Sequence, residues 1–488
     1  MRFIREDNVL GERAMTHFSR LAASAVAMSL VASPVFAQLR GGLGGLVGGV
    51  TGGVRTTLGQ TSGTLQQATG TLGQTTGSVL GGVSTATGSL GSAVNRLGNN
   101  LTSSRFMTGP VSLNQASAPY EILSASPADI ENYREARQRA LIDANRRVLD
   151  RDSAGAPVRK RELICTDPDP ASLALAARAG FRVIGDEREP GLGLRLVTLA
   201  IPQGLNVRQA LALARRAAPA LQAEYDHVYE PSGGSLLPIA GVRLAAAAPV
   251  RGRIRIAMID GGVASHPALA RASIEQRGFA GDAEATGHGT AVGSLLVGEQ
   301  GPFHGAARGA QLFVGDVYGG NPASGSATTI LRALNWAASK NPQVINISLV
   351  GPSNTVLARA IAAVRARGIQ VVAAVGNDGP AAPPQFPASY PGVVSVTGVD
   401  AQGRALPEAG KASHLDFAAP GADMIAAFPG EGYEIVRGTS FAAPLAAARL
   451  ALAGSYERLA LEARPGRGKV GRGIVCADCR VDPKVTRR

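Results

Sequence analysis

Four polar side chains in the second half of the 488-residue chain have the types needed for hydrolysis by a serine nucleophile. Ser440 lies in the segment Arg-Gly-Thr-Ser-Phe-Ala-Ala-Pro, which predicts a tight turn into an alanine-rich helix. Unpaired backbone N–H groups at a helix start favour developing negative charge. A serine hydroxyl is a weak nucleophile, so it needs a base, an acid that orients the base and an oxyanion donor. A serine that only caps a core helix is the other interpretation of this segment.

Three further segments contain those partners. Asp260 ends a short apolar run before two glycines, His288 stands between glycines before an apolar helical stretch, and Asn377 follows a second apolar run. Open α/β sheets build their sites at the carboxyl ends of their strands. The segments therefore predict that the four side chains converge at one edge of a sheet. Taken singly, the histidine is more often structural and the aspartate could cap a helix.

In order, the segments Asp-Gly-Gly, His-Gly-Thr, Gly-Asn and Gly-Thr-Ser-x-Ala-x-Pro resemble the motifs of the subtilisin-like serine proteases. The resemblance covers roughly residues 251–482, and the order aspartate, histidine, serine fits that fold and neither chymotrypsin nor the α/β-hydrolases. It implies a serine endopeptidase in which Asp260 orients the imidazole, His288 transfers protons and Ser440 attacks the peptide carbonyl. It also implies that Asn377 donates to the oxyanion.

Two segments match the family's substrate-binding regions. The first, which in the family pairs with extended substrate backbone, consists here of Ser348, Leu349, Val350 and Gly351. Val350 stands where a glycine is usual, and we expect it to narrow one subsite. The second contains Gln385, at the base of the primary specificity pocket, where the family often has glycine. We expect that pocket to be smaller or more polar.

Apolar runs alternate with alanine-rich helical stretches across residues 250–488, the predicted peptidase domain with its basic tail. This alternation predicts an α/β fold with a mostly parallel sheet and helices on both faces, and 45% hydrophobic residues suffice for its core. The resemblance implies that this sheet is subtilisin-like. The predicted strands are Ile254–Asp260, Gln311–Asp316, Val344–Leu349, Gln370–Val375 and Val393–Val399. The predicted helices are Ala291–Val297, Ala327–Ser339, Thr355–Arg367 and Ser440–Leu452.

Residues 119–249 predict a smaller α+β domain. A charged helix, Pro127–Asp150, with a solvated face precedes a βαββαβ order, which is that of the ferredoxin-like fold. Its strands are Glu162–Thr166, Phe181–Glu187, Leu194–Ile201 and Ala223–Tyr229, and its helices are Ala171–Ala179 and Val207–Ala217. In this position the domain resembles the inhibitory propeptide of subtilisin-like zymogens. An RNA- or metal-binding ferredoxin-like module is the alternative.

The resemblance to a propeptide implies that the domain's tail lies in the substrate cleft and is cut by the enzyme itself. Here the tail is about Tyr229–Val250, and the glycine- and alanine-rich Ser232–Ala248 predicts an exposed, cleavable linker. The partners implied are polypeptide substrates and the chain's own propeptide as an intramolecular inhibitor.

Residues 1–37 predict an export signal, with Met15 as a candidate true start. Its apolar core of about 12 residues is too short to span a bilayer, so we expect a periplasmic or secreted protein without a transmembrane segment in the mature chain. A buried amphipathic helix is the alternative. Residues 38–118 predict a low-complexity linker with heptad-length repeats. We expect it to be flexible, and a self-associating or surface-contacting segment is the alternative.

We expect no cofactor and no metal ligand. We expect Cys476 and Cys479 either to form a tight disulfide or to stay reduced, and two cysteines are too few ligands for a zinc site. We expect Cys165 to pack as a small apolar residue. Calcium often stabilises the family, but no acidic loop here has ligand spacing. The net charge of +13 comes from scattered arginines without interleaved aromatic residues, so nucleic acid is not an expected partner. The alternative function is a catalytically silent subtilase-fold protein that binds or has a structural role in the envelope.

Overall fold

The computed structural model describes residues 127–239 and 254–484, which belong to one compact unit, residues 97–488. The predicted export signal and low-complexity linker lie outside the described residues. No helix in the described part has the length and apolar character needed to cross a membrane.

The amino-terminal part of the described chain is a small antiparallel α+β domain. After α1 (Pro127–Ala144) come β1 (Leu149–Arg151), β2 (Pro157–Thr166), α2 (Pro170–Arg178), β3 (Arg182–Glu189), β4 (Leu194–Ala200), α3 (Val207–Ala217) and β5 (Glu224–His227). The strand order is β1–β2–β4–β3, with β5 also paired to β2. Residues 157–227 thus have the predicted βαββαβ order. Leu163, Cys165 and Leu211 lie in the core between sheet and helices.

The prediction of one helix over Pro127–Asp150 is wrong at its carboxyl end. Helix α1 ends at Ala144, and the Asn145 side chain donates to Leu141 O at 2.9 Å, which closes the last turn. Leu149 is then drawn into the sheet edge as part of β1 and is buried with Leu141, Val228 and Ala323. Burial of the leucine therefore outweighs the helical charge pattern on which the prediction rested.

The larger part is built around seven parallel strands. These are β8 (Arg255–Asp260), β9 (Ser273–Gly278), β12 (Gln311–Asp316), β13 (Val344–Ile347), β15 (Gln370–Ala374), β16 (Val394–Val399) and β17 (Phe417–Pro420). Their order in the sheet is β17–β16–β15–β13–β8–β12–β9. The main helices are α4 (Gly287–Val297), α5 (Ala327–Ser339), α6 (Thr355–Ala366), α7 (Thr439–Ala453) and α8 (Tyr456–Leu461). This is the predicted subtilisin-like α/β fold.

Alternate side chains of each central strand face opposite helical layers. On β8, Ile256 and Met258 pack with α4 and α7, whereas Ala257 and Ile259 pack with α5 and α6. Successive side chains of a strand point to opposite faces, so both faces of the sheet are buried. The layers hold the carboxyl ends of the strands in fixed positions.

Short antiparallel strands, outside the central sheet, complete the fold. They are β6 (Glu230–Pro231), β7 (Gly234–Ile239), β10 (Glu299–Gln300), β11 (Phe303–His304), β14 (Leu349–Val350), β18 (Met424–Ala427) and β19 (Tyr433–Arg437). Strand β6 pairs with β14, and β7 pairs with β19. The prediction of an exposed linker over Ser232–Ala248 is therefore wrong for its first part, because Ser232 is buried and residues 234–239 form a strand.

The small domain contacts the helices of the larger part through β5. Asp226 accepts a hydrogen bond from Thr328 N at 2.9 Å, at the start of α5, and Asn354 Nδ2 donates to Tyr225 O at 2.8 Å ahead of α6. Burial raises the pKa of Asp226 to about 6. The small domain thus contributes a cap to a helix of its neighbour.

Candidate active site

Three of the predicted residues form a hydrogen-bonded chain at the carboxyl edge of the sheet. Asp260 ends β8, His288 lies in the first turn of α4 and Ser440 lies in the first turn of α7. His288 Nδ1 lies 2.8 Å from Asp260 Oδ1, and His288 Nε2 lies 2.9 Å from Ser440 Oγ. Asp260 and Ser440 are fully buried. This geometry allows the imidazole to exchange a proton with the hydroxyl while the carboxylate fixes its orientation.

The approach of His288 to Asp260 depends on glycine after β8. A Cβ at Gly261 would lie 2.3 Å from Thr286 Oγ1, so no larger residue fits there. Thr286 caps α4 by accepting from Gly289 N at 2.9 Å. This cap starts α4 at Gly287, four residues before the predicted start, and places His288 in the first turn.

The turn that carries Ser440 is held on both sides. Just before it, Arg437 and Glu408 form a buried two-pronged ion pair, with distances of 2.7 and 2.9 Å. Thr439 Oγ1 lies 3.1 Å from both Gly376 N and Gly376 O. These contacts fix the first turn of α7 against the loop after β15.

Asn377, in that loop, borders the same space. Its Oδ1 accepts from Thr439 N at 3.0 Å, whereas its Nδ2 is buried without a hydrogen-bond partner. A Cβ at Gly438 would lie 2.9 Å from Asn377 Nδ2 and 3.3 Å from Ser232 O. A buried donor without a partner is costly, and such groups often have a functional reason.

The chain itself fills the groove next to these residues. Glu230 lies opposite Val350 in the β6–β14 pair, and Ser232 N donates to Ser348 O at 3.2 Å. Ser440 N donates to Ser232 O at 2.9 Å. A Cβ at Gly233 would lie 2.1 Å from Ser440 Oγ, so the peptide group between Ser232 and Gly233 passes directly over the hydroxyl.

The predicted substrate-binding segment lies alongside this tail. Leu349 and Val350 form β14, which pairs with β6, and Ser348 Oγ donates to Ser440 O at 2.9 Å. The prediction of one strand over Val344–Leu349 is wrong in detail, because Ser348 separates β13 from β14. This break turns the Ser348 carbonyl towards the tail.

Gly351 and Gln385 complete the segment. A Cβ at Gly351 would lie 2.5 Å from the Tyr229 ring, and Gln385 is buried. Val350 Cγ1 and Gln385 Cγ would each lie 3.3 Å from a Cβ at Gly376. The two residues that depart from the family pattern therefore border one space beside Asn377.

Sequence reasoning missed several residues at the site. Tyr229 Oη donates to Pro352 O at 2.8 Å, and Tyr318 Oη donates to Tyr229 O at 3.0 Å. Burial raises the pKa of Tyr318 well above its ordinary value, and the nearby Asp260 carboxylate adds to this. Arg137 is one of the charged residues of the helix predicted over Pro127–Asp150 to have a solvated face, but its side chain donates to Glu230 and Asp378. No signal in the sequence marks these long-range contacts.

Two expectations concerned metal and sulfur. In residues 127–239 and 254–484 there is no cluster of three or more His, Cys, Asp or Glu placed to hold a metal ion. Cys476 and Cys479 are joined in a disulfide, and Cys165 is a free, buried cysteine.

Comparisons with known proteins agree with the fold and the motifs. The model of the subtilase family matches residues 252–463. Subtilisin Savinase of Lederbergia lenta is 32% identical over 205 residues, 41% of this chain and 75% of the relative. The major intracellular serine protease of Bacillus subtilis (strain 168) is 31% identical over 239 residues, 45% of this chain and 75% of the relative. Fervidolysin from Fervidobacterium pennivorans, a keratinolytic enzyme related to subtilisin, superposes with a TM-score of 0.54 at 19% identity, over 66% of this chain and 61% of its own. The chain therefore belongs to the subtilase family and is a serine endopeptidase that acts on polypeptides.

Proposed function

We propose that this chain is an exported zymogen that cuts its own Ser232–Gly233 bond and then hydrolyses other polypeptides through Asp260, His288 and Ser440. The observation that carries this proposal is the 2.9 Å hydrogen bond from Ser440 N to Ser232 O. It supports a role for Ser232 as the residue whose carbonyl is attacked.

The chemistry of the first cut follows from the distances. His288 Nε2 accepts the proton of Ser440 Oγ as that oxygen attacks the carbonyl carbon of Ser232. Asp260 stabilises the positive imidazolium through its 2.8 Å contact with Nδ1. The proton then passes to the leaving amine of Gly233, and the C–N bond breaks to leave an ester on Ser440.

The oxyanion of the intermediate accepts two hydrogen bonds in this proposal. Ser440 N already donates to the Ser232 oxygen, and Asn377 Nδ2, which has no hydrogen-bond partner, lies near the same space beside Gly438. Donors that are fixed before the reaction stabilise developing charge at little cost of reorganisation. A water molecule deprotonated by His288 then hydrolyses the ester and frees the hydroxyl.

Residues 119–232 act in this proposal as the propeptide and intramolecular inhibitor. Strand β6 fills the acyl side of the groove and β7 fills the leaving-group side, so external polypeptides have no access before the cut. The sequence placed the tail at about Tyr229–Val250 without assigning a bond, and the position of Ser232 supports the choice of the Ser232–Gly233 bond.

The proposal of export rests on two observations. Residues 15–37 have the pattern of an export signal. The Cys476–Cys479 disulfide is typical of a protein that works in an oxidising compartment, the periplasm or the exterior of the cell. Gly233 is then the first residue of the enzyme found there.

The experiment compares the wild-type chain with Ser440→Ala. We expect wild type to yield a fragment that begins at Gly233 and to be labelled by a serine-directed phosphonate, and the variant to stay intact and unlabelled. Cleavage at the same bond in both proteins would show that another protease makes the cut. A wild-type chain that is neither cut nor labelled would favour the silent binding or envelope protein, against which the intact hydrogen-bonded chain at Ser440 argues.

A further inference from the structure

Arg137 joins the propeptide helix α1 to both sides of the groove. Its Nε donates to Glu230 Oε2 at 2.7 Å and its Nη2 donates to Asp378 Oδ1 at 3.2 Å. The side chains of Arg137, Glu230 and Asp378 are only 21%, 11% and 5% exposed. Burial works against the charged form of Arg137, but Glu230 and then Asp378 hold its pKa above the ordinary value. One guanidinium thus balances two nearly buried carboxylates.

The two carboxylates belong to different partners of the cleavage reaction. Glu230 is the third residue before the Ser232–Gly233 bond, and its backbone lies opposite Val350 of the enzyme strand β14. Asp378 belongs to the peptidase and follows Asn377 directly. Since a single guanidinium spans both groups, a side chain at the third position of any substrate would lie close to Asp378.

The other contacts of this loop do not supply a replacement cation. Ile130 of α1 packs against Gly379, where a Cβ would lie 3.2 Å from Ile130 Cγ2. The side chain of the nearby Glu408 is paired with Arg437. Glu408 contacts the loop through its backbone oxygen, which accepts from Gly379 N. Among the ion pairs of residues 127–239 and 254–484, Asp378 is joined only to Arg137. Departure of α1 with the propeptide therefore leaves Asp378 as an uncompensated negative charge beside the groove.

We propose that Asp378 makes the released peptidase prefer a basic residue, and disfavour an acidic one, at the third position before the bond it cuts. The chain's own Glu230 is accepted because Arg137 of the propeptide accompanies it. Like charges repel and opposite charges attract most strongly where water is excluded. This inference rests on the proposed self-cleavage at Ser232–Gly233. It specifies the charge that the enzyme prefers in its substrates at the third position before the cut bond.

The first test uses the self-cleaved enzyme after removal of the propeptide. Three peptides copy residues 229–234, with glutamate, glutamine or arginine at the position of Glu230. We expect kcat/KM to rise in that order, with arginine over glutamate by about tenfold or more, and the ratio to shrink with added salt. In Asp378→Asn the arginine-to-glutamate ratio falls to about one, since the variant removes the charge that discriminates.

The second test uses the full precursor. We expect Arg137→Met to slow self-cleavage about tenfold, because Glu230 then faces Asp378 without a cation, and Glu230→Gln to restore the rate in that variant. Arg139→Met is the matched control, because that arginine is 62% exposed on the same helix and pairs only with Glu135 at 3.9 Å. It should leave self-cleavage unchanged.

The possible results separate the two proposals. Equal cleavage of the three peptides by wild type, or an arginine-to-glutamate ratio that Asp378→Asn does not change, would overturn the charge preference and leave self-cleavage intact. Failure of Glu230→Gln to rescue Arg137→Met would show that Arg137 only supports the fold, and this also would overturn it. An enzyme that cuts none of the peptides and never cuts itself would instead refute the proposed function.

Discussion

Replacing Asn377 by leucine removes an unpaired side-chain donor that lies beside Gly438, as the Ser232 carbonyl oxygen also does. The structure fixes this amide in one orientation, because its Oδ1 accepts from Thr439 N at 3.0 Å and its Nδ2 is left buried and unpaired. Losing one such donor to an oxyanion typically costs about 3 to 4 kcal/mol, or a factor of about 100 to 1,000 in kcat. KM should change little, since we expect substrate to pair with the backbone of β14 as β6 does.

A second variant separates the donor from the contact that orients it. Asn377→Asp keeps an oxygen for Thr439 N but puts a carboxylate oxygen in place of Nδ2. Because that oxygen repels the developing charge, we expect this variant to lose at least as much activity as Asn377→Leu.

The assay measures kcat and KM of the released enzyme on a chromogenic peptide that copies residues 229–232. Self-cleavage of each precursor is followed in parallel, with Ser440→Ala as the inactive control. An aspartate variant that stays active while the leucine variant fails would show that only the contact with Thr439 matters. A loss below about tenfold in both variants would refute the role of Asn377 as an oxyanion donor.

Three further changes test stability and docking. Glu408→Gln leaves Arg437 buried without a full partner, so the free energy of unfolding by urea should fall by about 3 to 5 kcal/mol in a catalytically dead background; a loss below 1 kcal/mol would contradict the reasoning. Burial raises the pKa of Asp226 from 3.8 to about 6, so its contribution to docking is present at low pH and is lost as pH rises through about 6. The dissociation constant of the propeptide from the cleaved complex, measured by gel filtration, should therefore rise about tenfold between pH 5 and pH 8. The rise should be much smaller in Asp226→Asn. Replacing both Cys476 and Cys479 by serine opens a very short loop, so a calorimetric comparison should show a loss of only about 2 kcal/mol.

Several elements could be predicted to the residue because their ends carry strong local signals. The bounds of α3, Val207–Ala217, agree with the prediction, and Asn206 and Gln209 form a capping box there. The bounds of α5, Ala327–Ser339, also agree, with Ser326 as the cap. Strand β12, Gln311–Asp316, is an apolar run buried on both faces.

Edge strands gave no such signal. Ser273–Gly278 forms β9 at the end of the sheet, where its side chains are mostly exposed, so neither an apolar run nor an alternating pattern is visible. Strands β18 and β19 were also missed. They are short and buried among residues from distant parts of the chain, which local periodicity does not reveal.

At the site, the sequence predicted the side chains that converge, and the resemblance implied a tail in the cleft, but neither predicted the strands that this tail forms. The spacing of Asp260, His288 and Ser440 is set by strand ends and helix starts, which have local patterns. The pairing of β6 and β7 with β14 and β19 depends on backbone groups that every residue has. The glycine- and alanine-rich Ser232–Ala248 therefore predicted a linker, although residues 234–239 form a strand.

The filled groove affects what an activity measurement reports about a preparation of the enzyme. Ser440 is fully buried. Under the proposed self-cleavage, activity in a fresh preparation therefore reports how many molecules have cut their own chain and not how many have folded. Progress curves on an added peptide should then begin with a lag. If each molecule opens itself, dilution will leave the length of that lag unchanged.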